Sequence, residues 1–117
     1  MHKFTHFERS EFDCSHTGKN EMRDTFIHSL DHLRSVCGFA FVINSGYRDK
    51  THPIEAIKKA PGTGSHCQGY AADIQVNNSV DRAQIVKHAL ALGFSVGPQH
   101  GFVHVDKRPG KQLLWVY

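Results

Sequence analysis

An aspartate in the middle of an apolar, strand-like segment constrains this chain more than any other residue. The segment YAADIQV runs from Tyr70 to Val76, bounded by Gly69 on one side and by Asn77, Asn78 and Ser79 on the other. Apolar content between turn-forming borders predicts a mostly buried strand. A carboxylate there is costly unless it is paired or binds a metal. His66 stands seven positions earlier, after the Gly-rich run GTGS, with Gly69, Ala71 and Ala72 between. The stretch Gly62–Val76 therefore offers an imidazole and a carboxylate, and His104, in the later run GFVHVD, offers a third donor. Zinc takes imidazole nitrogen and carboxylate oxygen, and a catalytic zinc keeps one position for water. Two histidines, one aspartate and a water make up such a set.

Spacing alone is weak support. His6 and Asp13 stand at the same separation, and ten His and seven Asp in 117 residues produce about 0.6 such pairs by chance. Context separates the two pairs, because His6 and Asp13 flank a polar, charged run with no strand pattern. On local sequence, an Asp73 that caps or bridges something nearby, beside a loop His66, stays open as the alternative.

The rest of the chain reads as an alternation of helices and strands. Met1–Thr17 is polar and irregular, with Phe4, Phe7 and Phe12 placed to tack it onto a core. Asn20 suits a helix N-cap, and Met22, Phe26, Leu30, Leu33 and Cys37 then form one apolar stripe up to Gly38. Phe39–Ser45 predicts a buried strand running into the turn Gly46–Asp49. Arg48, in that turn, is either a solvated turn residue or a fixed guanidinium for a carboxylate. Thr51–Ala60 predicts a short helix with Pro53 in its first turn. After the Asp73 strand, Ser79 caps a helix Val80–Leu92 with Ala83, Val86, Ala89 and Leu90 inward. Phe94–Val96, Phe102–Asp106 and Leu113–Tyr117 then predict an antiparallel meander. On the middle strand, Phe102, His104 and Asp106 share one face and Val103 and Val105 the other.

The fold class expected is α+β: a small, mostly antiparallel sheet with helices on one face and a zinc site in a groove on the other. Length predicts one domain over residues 1–117. No apolar run approaches membrane-spanning length. The N-terminus lacks the apolar core of a secretory signal, so the chain is expected in the cytoplasm as synthesised. Three cysteines argue against a disulfide framework. Cys14 and His16 form half of a possible second metal site, with a small buried cysteine as the alternative. Lys and Arg are scattered over a net charge of +3, and no basic cluster interleaved with aromatics points to nucleic acid.

Taken together, the runs EFDCSHTGKNEM, FVINSGYRDK, GTGSHCQGYAADI and GFVHVDKRPGKQLLWVY resemble the zinc D-alanyl-D-alanine carboxypeptidases and their phage-lysin relatives. That family shares a core with lysostaphin-type peptidases and the hedgehog signalling domain. The resemblance implies His66, Asp73 and His104 as ligands of one zinc ion. It implies Arg48 as the holder of a substrate carboxylate or carbonyl, and Ser65 as a second substrate contact. Relatives often have that serine one position earlier, where Gly64 stands here. Many carry an acidic general base three positions before the last ligand, where this chain has Gly101. His100 and Asp106 are the candidates left for that role. The function implied is hydrolysis of a bond in the peptidoglycan stem peptide, by a D,D-carboxypeptidase or an L-alanyl-D-glutamate-type endopeptidase. The setting implied is a monomeric phage or prophage lysin that reaches the wall after release. The alternative is a non-catalytic zinc domain that binds wall peptides or a protein partner.

Overall fold

The computed structural model describes residues 4–57 and 64–116. Four strands form one antiparallel sheet in the order β1-β2-β4-β3: β1 is Ile43–Ser45, β2 Ala71–Gln75, β3 Ser95–Pro98 and β4 Phe102–Asp106. Three helices accompany it: α1 Asp24–Cys37, α2 Pro53–Ala56 and α3 Ser79–Ala91. This is the α+β architecture expected from the sequence. The end of the helix expected over Thr51–Ala60, with Pro61, Gly62, Thr63 and Tyr117, lies outside the described residues.

Strand alternation divides the sheet into two faces. Ala72, Ile74, Val96, Val103 and Val105 point into a core shared with Phe26, Ile27, Leu30 and Leu33 of α1 and Ile85 and Ala89 of α3. Both helices therefore cover one face. The opposite face carries Asp73, His104 and Asp106. Asp73 and His104 are direct partners in the β2–β4 register, so one ladder position joins two of the residues singled out above.

The N-terminal segment is held to the core as expected: Phe12 is fully buried and Phe7 nearly so, with Phe4 packed beside them. A 3-10 turn, Arg9–Phe12, sets Phe12 against β1, and the Tyr47 amide donates to the Phe12 carbonyl at 2.8 Å.

Several boundaries differ from the sequence reading, each for a local reason. α1 starts at Asp24, not after Asn20. The Asn20 side chain instead accepts from the Met22 amide at 3.0 Å and donates to the Arg9 carbonyl and to Asp13. α3 is capped by Asn78, one residue before Ser79, through acceptance from the Asp81 amide. Its inner face is Ile85 and Ala89 with Val86 and Leu90 packed beside them as expected, while Ala83 is exposed. Only Ile43–Ser45 of the expected Phe39–Ser45 strand enters the sheet. The C-terminal segment is not a third meander strand. It runs beside β3 in the parallel sense, through one bridge between Leu114 and Val96, with Trp115 donating to the Val96 carbonyl at 3.1 Å.

Candidate metal centre

His66 reaches the sheet on a tight turn over residues 64–69. Gly69 ends that turn with φ of +80°, and a Cβ there would collide with the Glu21 carbonyl, so only glycine fits. The Tyr70 amide donates to the Ser65 carbonyl at 3.3 Å as the chain enters β2. His66 Nδ1 lies 2.7 Å from the Gly46 carbonyl oxygen, which accepts its proton and leaves the lone pair on Nε2. Nε2 then faces Asp73 Oδ1 at 3.3 Å.

His104 mirrors this arrangement from β4. Its Nε2 lies 2.7 Å from Asp106 Oδ2 and its Nδ1 lies 2.9 Å from Asp73 Oδ1. Asp106 is fully buried and chelated by Arg108, whose Nε and terminal nitrogen both donate to the carboxylate. One buried carboxylate thus stands behind His104, as the Gly46 carbonyl stands behind His66. Hydrogen bonds of this kind fix the tautomer and orientation of metal-ligating histidines.

His66, Asp73 and His104 are all buried and offer one donor atom each, mutually within 4.8 Å. Three electron-pair donors that converge in a buried site are stable only when they share protons or a cation. Around a tetrahedral ion with bonds of about 2.0–2.1 Å, neighbouring donors stand about 3.3 Å apart. Asp73 Oδ1 stands 3.3 Å from His66 Nε2 and 2.9 Å from His104 Nδ1, near that spacing. The donor set, two imidazoles and one carboxylate, suits zinc.

The same contacts set the protonation of the group while no ion is bound. Burial alone pushes the Asp73 carboxyl up, and the hydrogen bonds from His104 and His66 override it, holding it far below the usual carboxylate range. Burial likewise favours neutral His104, but its bonds to Asp106 and Asp73 raise it overall. Asp106 is pushed up by burial and drawn down further by His104 and Arg108, to about 2.

A cavity of about 200 Å³ opens over the three residues and is lined also by Arg48, Ser65, Phe102, Arg108 and Trp115. Trp115 stacks on the backbone at Gly97, where a Cβ would overlap the indole. Its ring centroid is 5.2 Å from that of His104 and 5.0 Å from the Arg108 guanidinium. A larger hollow of about 450 Å³, lined by Arg23, Phe26, Tyr70 and Lys107, lies elsewhere and includes none of the three converging residues. Its cations are already engaged: Arg23 donates to the Gln68 carbonyl, and Lys107 to that of Leu92.

The structure brings together five of the seven residues singled out in the sequence: His66, Asp73, His104, Arg48 and Ser65. It places Asp106 behind His104, with both carboxylate oxygens committed, not in the cavity. His100 is exposed in the turn before β4 and does not line the cavity. Arg48 is more engaged than a residue awaiting substrate, donating to Ser45, Glu55 and Asp73. Glu55, Arg108 and Trp115 escaped sequence reasoning. Arg108 and Trp115 had weak signals, one two residues past Asp106 and the other the chain's only tryptophan. The Cys14–His16 pair gains no third ligand: among the described residues the one group able to hold a metal is His66, Asp73 and His104. Cys14 is the small buried cysteine, accepting from the Asp49 amide.

Comparison with known families adds a match to the family described as Peptidase M15 over residues 5–106. No curated protein and no solved structure matches the chain.

Proposed function

From the premise that this chain belongs to the Peptidase M15 family, we propose that it hydrolyses a peptide bond in the stem peptide of peptidoglycan. The bond class is that of a D,D-carboxypeptidase or an L-alanyl-D-glutamate-type endopeptidase. At the coarser level the family assignment suffices: the chain is a zinc metallopeptidase that acts on peptidoglycan. The observation that supports this reading is the convergence of His66, Asp73 and His104 beneath a cavity of about 200 Å³.

The residues that would hold zinc are His66 through Nε2, Asp73 through Oδ1 and His104 through Nδ1. When bound, zinc supplies a Lewis acid and a water whose pKa falls to about 7. The protein's own residues prepare the site for it. The Gly46 carbonyl and the Asp106 carboxylate hold the two imidazoles in the tautomers that present a lone pair to the ion. Ser65 at the cavity edge, with Phe102 and Trp115 as apolar walls, would orient the peptide and thin the water around the scissile bond.

Asp106 suits an orienting role better than that of general base, because its oxygens are bonded to His104 and Arg108 and it is fully buried. Among the described residues lining the cavity, no other carboxylate or free-standing imidazole joins the ligand set. The candidate that remains for moving the proton is His100, in the exposed turn before β4. Hydrogen bonds to catalytic groups commonly tighten only in the complex.

The wider setting we propose, a monomeric phage or prophage lysin released from the cytoplasm onto the wall, rests on the resemblance of the four motif runs. The test is mass spectrometry of purified peptidoglycan digested with the protein, with and without a chelator, beside metal analysis. New amine and carboxyl ends that vanish on chelation are expected, and their masses name the bond. One bound zinc without any cleavage would overturn hydrolysis in favour of a zinc domain that only binds wall peptides or a partner.

A further inference from the structure

Arg48 lies between two buried carboxylates, 3.3 Å from Glu55 and 3.1 Å from Asp73. Glu55 is fully buried, a place glutamate takes only with a partner. Its helix, α2, turns this acid inward while Ile54 and Ile57 are exposed. Hydrophobic burial would select the opposite orientation, so a polar contact fixes α2. Glu55 Oε2 accepts from Arg48, and Oε1 from Cys67 Sγ at 3.2 Å, one residue after His66. Arg48 Nε is fixed in turn on Ser45 Oγ at 3.0 Å.

The consequence falls on Asp73. Its Oδ1 faces both imidazoles, while its Oδ2 faces Arg48. The two oxygens are chemically equivalent, so what the guanidinium fixes is the plane of the carboxylate, with one oxygen occupied and the other turned to the imidazoles. We propose that Glu55 is a positioning residue: acting through Arg48, it holds Asp73 so that a single oxygen is presented to the metal. Arg48 then serves the metal ligand before it serves a substrate carboxylate. This rests on the reading of His66, Asp73 and His104 as zinc ligands.

The test is zinc affinity of the full chain, measured by competition with a chromophoric chelator, with circular dichroism and thermal melting to check folding. Tight binding of one zinc by the wild type, lost in His104→Ala, establishes the ligand reading by itself. A wild type that binds no zinc overturns that reading and this inference with it. Glu55→Gln is expected to weaken zinc about 10–100-fold, the usual effect of losing an outer partner of a metal ligand. Simple charge gives the same sign for this variant, since an anion near the cation is removed.

Two further variants separate the causes. Arg48→Lys keeps the charge and loses the forked geometry. Arg48→Met combined with Glu55→Gln removes one charge of each sign, so it also serves if the single Glu55 variant fails to fold. Positioning predicts at least tenfold weaker zinc in both. Charge alone predicts affinity near wild type in both. Unchanged affinity with a raised KM for wall peptide would overturn the proposal and return Arg48 to substrate binding.

Discussion

Both oxygens of Asp106 are engaged, Oδ2 by His104 and Arg108 and Oδ1 by the side chain and backbone amide of Arg108. A carboxylate so bound has little basicity, in keeping with its pKa of about 2. Asp106→Asn is therefore expected to act on the metal, weakening zinc about 10–100-fold. Loss of a general base would instead cost about 10²–10⁴-fold in kcat with zinc affinity intact. Zinc titration beside kcat distinguishes the two outcomes. His100→Ala serves as the control and is expected to leave zinc affinity unchanged, because its exposed ring lies outside the cavity lining. At this scale the convergence of His66, Asp73 and His104 was legible in the sequence. Asp73 stood out because an acid in an apolar strand needs a counterpart, and strand alternation put His104 and Asp106 on one face. Glu55 was not legible. Nothing in HPIEAI marks its acid as buried, since two flanking isoleucines compete for the inward side and the deciding contact, Arg48, belongs to another element.

Elements explain where the reading of the sequence held and where it slipped. β2 was legible as an apolar run between turn-forming borders with one acid inside it, and β4 from the alternation of Val103 and Val105 with Phe102, His104 and Asp106. α1 and α3 were legible from their stripes, but their starts moved. Asn20 could bond either a helix or a turn, and only the packing of Arg9 against Asp24 and the Met22 carbonyl favoured the turn. The C-terminal segment was misread as a strand because its apolar residues suggested one. In the fold its Gln112 side chain is bonded to the Leu90 and Phe94 carbonyls and its Trp115 lies flat on β3. That packing depends on Gly97. Gly97→Ala is expected to push the indole off the strand and destabilise the protein by about 1–3 kcal/mol, the usual cost of overpacking. Thermal melting checks the stability, and a methyl tolerated at position 97 without loss would show that the indole is not seated there.

Over the whole molecule, the candidate metal-ligating group draws together distant parts of the chain. His66 lies in the turn before β2, Asp73 in β2 and His104 in β4, so one ion would cross-link three segments. Ligands that bind only the folded state stabilise it by mass action, by about 2.7 kcal/mol at a hundredfold excess over Kd. For a chain of this size that is roughly 10 °C in Tm. Zinc is expected to raise the melting temperature by about that amount over chelated protein, and equal melting curves would contradict an ion held by these three residues. The chain also contains a single tryptophan, and its indole lies against the His104 ring. An ultraviolet emission spectrum thus reports from one known place beside the proposed ligands. Titrating the apoprotein with zinc should alter its intensity or wavelength with one-to-one stoichiometry, and paramagnetic cobalt or copper in the same place should darken it. Metal loading can then be followed in solution without label, substrate or crystal.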